Sequence, residues 1–133
     1  MTPDQRELFD AALAAMANAY APYSNYPVGA AVRSSSGRVY AGCNVENAAY
    51  PQGWCAETSA LAAMVSAGET RVVAVLTIAG GELCGTCCGG CRQKLREFAD
   101  LDVPIWACAR DGIRFEFTLG ALLPHSFGPE HLA

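Results

Sequence analysis

The reactive side chains of this sequence gather in two places, Cys55-Ala56-Glu57 and the run from Cys84 to Cys91, which ends in Cys88-Gly89-Gly90-Cys91. Zinc bound by three protein ligands keeps its fourth position for water, which is the catalytic arrangement. Cys88 and Cys91 can clamp such an ion through a glycine-loosened loop, and Cys55 offers the third thiolate. Glu57, two residues beyond Cys55, can reach the water without ligating the metal, take its proton and deliver it elsewhere. That machinery suits hydrolysis of an amidine-like C–NH₂ group.

Three thiolates on a dication leave the site at about −1, which works against acidification of the water; helix N-termini, each worth about half a positive charge, offset this. Arg92, directly after Cys91, is expected to add a donor to a thiolate. Rival readings exist for the cysteines. A four-cysteine structural zinc site would use Cys84, Cys87, Cys88 and Cys91, but zinc ribbons separate their pairs by roughly 15–20 residues, and these abut. A redox Cys-X-X-Cys is expected next to a thioredoxin-like strand–helix–strand pattern, and its usual neighbours are missing. Cys43 and Cys108 fall in apolar strands and read as core.

Positioning these groups requires elements that start where the cysteines lie. Thr2-Pro3-Asp4-Gln5 opens a helix with a cap, a proline at the first position and a glutamine three residues after the cap. Leu8, Phe9, Ala12, Leu13 and Met16 continue it at helical spacing. Val28–Arg33 and Val39–Cys43 read as a hairpin around Ser36-Gly37. A helix is expected from Cys55 to about Ala67, stopped by Gly68, and another from about Cys88 to Phe98. Val72–Ala79 and Val103–Ala109 read as buried strands, and Ile113–Thr118, after the Asp111-Gly112 turn, as the last strand. A short helix and Leu123-Pro124-His125-Ser126-Phe127 follow. The order α-β-β-α-β-α-β-β predicts an α/β fold, a mixed sheet of five strands with helices on both faces.

The 133 residues are expected to form a single domain. Apolar content of 52% with 17% charge describes a globular protein. A net charge of −4 argues against a nucleic-acid polymer as partner, since phosphate contacts need a basic face. No apolar stretch is long enough for a membrane span, and Met1–Gln5 lacks the basic start of a signal peptide. Crowded cysteines in odd number suit a cytoplasmic metal site better than a secreted disulfide framework.

The combination resembles the cytidine deaminase family in its small-subunit form. The segments that carry it are Tyr23-Ser24-Asn25-Tyr26-Pro27-Val28-Gly29-Ala30-Ala31, Gly42-Cys43-Asn44-Val45-Glu46-Asn47-Ala48-Ala49-Tyr50, Cys55-Ala56-Glu57, Cys88-Gly89-Gly90-Cys91-Arg92-Gln93, and Leu122-Leu123-Pro124 with Phe127. The resemblance implies a three-layer α-β-α fold, one Zn²⁺ per subunit on Cys55, Cys88 and Cys91, and Glu57 as proton shuttle. It implies hydrolysis of cytidine and deoxycytidine in pyrimidine salvage. Asn44 and Glu46 match the pair that grips the sugar 3′-hydroxyl; on residue type alone they would read as loop caps. Ala56 matches a residue whose peptide group holds the base edge, Tyr26 and Phe127 match aromatics of the pyrimidine pocket, and Tyr50 lies in the sugar-binding loop. Phe127 is expected to reach into a neighbouring subunit of a homotetramer with composite sites. Three positions depart from the pattern: Thr58 stands where many members have arginine, Cys87 replaces a proline and opens a possible shift of zinc to Cys87, and Trp54 adds an indole at the pocket lip. A deaminase of a modified cytosine nucleoside such as blasticidin S, and a non-catalytic zinc module, are the alternatives.

Overall fold

The computed structural model describes residues 1–133. Helix α1 (Pro3–Met16) starts as the sequence dictates: Thr2 Oγ1 accepts from the Gln5 amide at 3.1 Å, and Gln5 Oε1 accepts from the Thr2 amide at 2.9 Å. Strands β1 (Val28–Ser34) and β2 (Val39–Cys43) form the hairpin, turning through Gly37 at φ 92°. Helix α2 (Ala56–Ser66) ends before Gly68, whose φ of 91° closes the turn. Strand β3 (Val72–Ala79), helix α3 (Gly89–Phe98) and strand β4 (Pro104–Ala109) form the one parallel crossover. Strand β5 (Gly112–Thr118) and the four-residue α4 (Leu119–Leu122) follow, and a single 3₁₀ turn spans Pro129–Leu132.

The sheet order is β2-β1-β3-β4-β5, with every pair antiparallel except β3–β4. Period-2 alternation divides the core between its two faces. Leu76 and Ile78 of β3 pack with Leu8, Phe9, Ala12 and Met16 of α1. Val75 points the other way, to Ala60, Leu61 and Met64 of α2 and to Cys91 and Leu95 of α3. The expected layers of helix, sheet and helix are present. Two strands differ from their reading as buried: β3 is exposed at Val73, near its beginning, and β4 is only half-buried at Pro104, Trp106 and Ala109.

Close backbone approach fixes α2 on the sheet. A Cβ at Gly42 of β2 would lie 2.5 Å from Ser59 Cβ and 2.6 Å from the Ala60 amide nitrogen. Gly42→Ala must therefore push α2 away, and with it the site at the helix start. We expect a loss of about 1–3 kcal/mol, read as a lower urea midpoint at unchanged m-value.

Candidate metal and substrate site

Cys55 and Cys88 are not the first residues of their helices but the caps before them, in extended backbone at φ −79°, ψ 163° and φ −65°, ψ 163°. Both thiols therefore sit at the positive ends of α2 and α3, with Cys91 one turn into α3. The three sulfur atoms lie within 4.8 Å of one another, and Cys55 Sγ is 3.6 Å from Cys88 Sγ. Tetrahedral zinc, with Zn–S near 2.3 Å, sets its sulfurs roughly 3.8 Å apart. The donor set and the spacing fit that ion. The neighbouring thiol of Cys91 foremost, with Cys88 and the charge of Lys94 assisting, brings the Cys55 thiol down to about 6 against burial and the nearby Glu57. The same contact, with burial, raises Cys91.

The other cysteines stay apart. Cys87 is buried in the core between α2 and α3, and burial pushes its thiol up to about 12. Its side chain is spoken for by packing, so the shift of zinc to Cys87 and the four-cysteine structural site both fail. Cys84 lies half-buried outside the cluster, its thiol raised by burial. Cys108 belongs to the core as expected, whereas Cys43, at the end of edge strand β2, is only half-buried.

A cavity of about 710 Å³ opens in front of the sulfurs, lined by Cys55, Ala56, Glu57 and Cys88. Glu57, in the first turn of α2, is 4% exposed, and no hydrogen bond of the protein ends on its carboxylate. A carboxylate that no protein group engages, on a cavity beside the cysteine cluster, is free to act on what the cavity holds. Thr77 of β3 also lines the cavity, its hydroxyl buried without a partner.

Asn44 and Glu46 line the same cavity. Their loop is stitched on both sides: Val45 exchanges backbone hydrogen bonds with Trp54 at 3.0 Å each way, and Glu46 N donates to Tyr20 O at 2.8 Å. Asn44 Oδ1 accepts from the Val28 amide and its Nδ2 donates to Tyr26 O, both at 2.9 Å. Glu46 Oε1 accepts from the amides of Tyr23 and Ser24 at 2.9 and 3.1 Å, and Oε2 accepts from the Ser24 hydroxyl. That hydroxyl bond foremost, and the amides, hold the Glu46 carboxyl below its usual range. Both residues thus tie down the segment from Tyr23 to Val28, as loop caps do. Each also keeps unused capacity on the cavity they line, a second amide N–H on Asn44 and a lone pair on Glu46.

Tyr26 and Tyr50 line the cavity as well, although Tyr50 is 74% exposed and leans on Tyr23 with ring centroids 5.7 Å apart. Trp54 stands at the lip, its Nε1 donating to Ser59 Oγ at 2.9 Å. Phe127 does not join its own chain's cavity. It is 56% exposed, stacks on His131 at 5.0 Å, and is anchored by Gln93 Nε2 donating to its carbonyl at 2.9 Å.

Arg92 requires a correction. Its Nε, Nη1 and Nη2 donate to Cys87 O, Leu122 O and Thr86 Oγ1, each at 2.8 Å. The guanidinium braces the loop that presents Cys88 and gives no hydrogen bond to a thiolate. Its planar fork, matched to fixed carbonyls, explains the difference. The sequence reading missed Lys94, which reaches Thr58 at the same site. Its place three residues beyond Cys91, one helical turn on, was the available signal.

Comparison with known proteins agrees with this geometry. The profile of the cytidine and deoxycytidylate deaminase zinc-binding region matches residues 2–107. The cytidine deaminase of Sporosarcina psychrophila is 38% identical over 130 residues, covering 98% of this chain and 96% of that protein. The cytidine deaminase of Mycobacterium tuberculosis is 40% identical over 118 residues, covering 89% and 85%. The crystal structure of cytidine deaminase from Burkholderia pseudomallei superposes with a TM-score of 0.86 at 37% identity, over 96% of this chain and 100% of that one. Three sulfurs at two helix starts, a free carboxylate beside them and relatives matched along nearly the whole chain lead to one statement: the chain belongs to the zinc-dependent cytidine and deoxycytidylate deaminase family.

Proposed function

We propose that the protein hydrolyses free cytidine and deoxycytidine to uridine and deoxyuridine with release of ammonia, serving pyrimidine salvage in the cytoplasm. Residues 1–133 act as one domain, and the working form is a homotetramer in which Phe127 completes a neighbour's pocket. The observation that carries the reaction is Glu57, nearly enclosed and with no hydrogen bond from the protein on its carboxylate, lining the same cavity as Cys55 and Cys88 of the three-cysteine cluster. A zinc ion held by those three thiolates supplies, when bound, an acidified water at neutral pH. Glu57 takes that water's first proton and passes it to N3 of the base while the oxygen adds to C4. The same carboxyl carries the second proton to the amino group, which leaves as ammonia. Peptide groups around Ala56 and Cys88 hold the edge of the base.

The Asn44–Glu46 pair supports a nucleoside with a free 3′-hydroxyl, since a donor–acceptor pair built to hold a hydroxyl is penalised when the ligand lacks it. A polymer continuing from that oxygen would lose the pair. Cytidine lacking the 3′-hydroxyl should show kcat/KM lower by about 10²-fold, most of it lost affinity. Ultraviolet assays on cytidine, deoxycytidine, cytosine, dCMP and blasticidin S, with zinc quantified, test the reading. The two nucleosides are expected to be turned over by protein holding one zinc per chain. Turnover of blasticidin S alone, or stoichiometric zinc with no deamination of any of the five, would overturn it.

A further inference from the structure

Lys94 is the only lysine in the chain and forms no ion pair with a carboxylate. It extends from α3 across to α2, where its Nζ donates to Thr58 Oγ1 at 3.0 Å. Thr58 Oγ1 lies in turn 3.8 Å from Cys91 Sγ. A hydroxyl has one proton to give, and an ammonium can only donate. With Lys94 occupying a lone pair of Oγ1, the Thr58 proton is free for the sulfur. Cys91 is fully buried. Arg92, the other cation adjacent in sequence, is fully engaged with the loop before Cys88.

The geometry points to Lys94, acting through Thr58, as the positioning residue that balances the charge of the three-thiolate metal site. The inference rests on the metal-site reading above. With zinc bound, three thiolates outweigh the ion's two charges, so a nearby ammonium stabilises the complex, and a donor to Cys91 withdraws electron density from its sulfur. Lys94 itself is exposed, so solvent screens its direct field and the hydroxyl relay carries the effect inward.

The test uses the full-length protein with Lys94→Met, Lys94→Arg, Thr58→Val and the Lys94→Met/Thr58→Val double variant. Methionine keeps much of the apolar stem, so packing on α3 is preserved. Zinc affinity by competition with a chromophoric chelator is expected to fall about tenfold in Lys94→Met and in Thr58→Val, within the range found for partners of metal ligands. The double variant should fall no further than either single one, because both remove one relay. With cobalt(II) as probe, the sulfur-to-metal charge-transfer band should move to longer wavelength in both single variants and return towards the parent position in Lys94→Arg. Lys94→Met with unchanged affinity and band, additive losses in the double variant, or no recovery with arginine overturns the assignment. Parent protein that takes up no stoichiometric zinc removes the metal site itself, and the relay with it.

Discussion

Glu57→Gln is expected to lower kcat on cytidine by about 10²–10⁴-fold while the protein retains one zinc per chain. Glutamine preserves the volume of a side chain that is almost wholly enclosed at the first turn of α2, so packing against the core is kept. What it loses is the ability to accept a proton and return it, which two steps of the hydrolysis require. The measurement pairs initial rates with metal content on the same sample. A variant that holds zinc and keeps more than about a tenth of the parent rate would take Glu57 out of the proton path. The reading of the whole site as hydrolytic would then need another base, and the cavity holds no second carboxylate next to the sulfurs; Glu46 lines it too, engaged by Ser24 and Tyr23.

Cys91→Ser is expected to cost both metal and turnover. Zinc in four-ligand peptide sites is bound with about 10–16 kcal/mol, so each ligand carries on the order of 2.5–4 kcal/mol, or 10²–10³ in affinity. Serine offers a poorer, protonated donor, and Cys91 is fully buried one turn into α3 with no side chain placed to replace it. Cys87 is the nearest cysteine in sequence outside the ligand set, but it faces the core with its thiol held up by burial. Zinc analysis after dialysis against a weak chelator should find the variant depleted and inactive, and a return of activity only at high added zinc. Full zinc occupancy after that dialysis would show that another ligand set holds the metal. Cys87→Ser supplies the control: it should leave metal content unchanged and alter stability alone.

Much of the framework could be read from the chain because local chemistry and global packing agree. The capping box at Thr2, the glycine after α2 and the continuous apolar run of β3 each specify an element without reference to any distant residue. The metal cluster was legible for the same reason: helix starts at Cys55 and Cys88 are encoded next to the thiols they aim. Partner choice by long side chains was not. Arg92 has five donors on a flexible stem, and only the folded positions of Cys87 O and Leu122 O decide where they go. Lys94 and Thr58 are 36 residues apart, and nothing local in either segment announces their contact. The double duty of Asn44 and Glu46, loop caps that also face the cavity, likewise depends on the segment from Tyr23 to Val28 folding over them. Phe127 gave its type to the sequence reading, but its direction away from its own cavity follows from the tail's attachment to Gln93 and Arg96 on α3.

The solitary lysine has a practical corollary for chemical labelling. Amine-directed reagents have only one side chain to attack, the Lys94 ammonium, since every other basic side chain of the chain is an arginine or a histidine. Acylation, whether by a laboratory ester or by an acetyl donor, would erase a positive charge at one defined spot on α3 and leave the remaining surface electrostatics intact. Single-site occupancy by mass spectrometry could then be plotted directly against catalytic output, with no background from a second lysine.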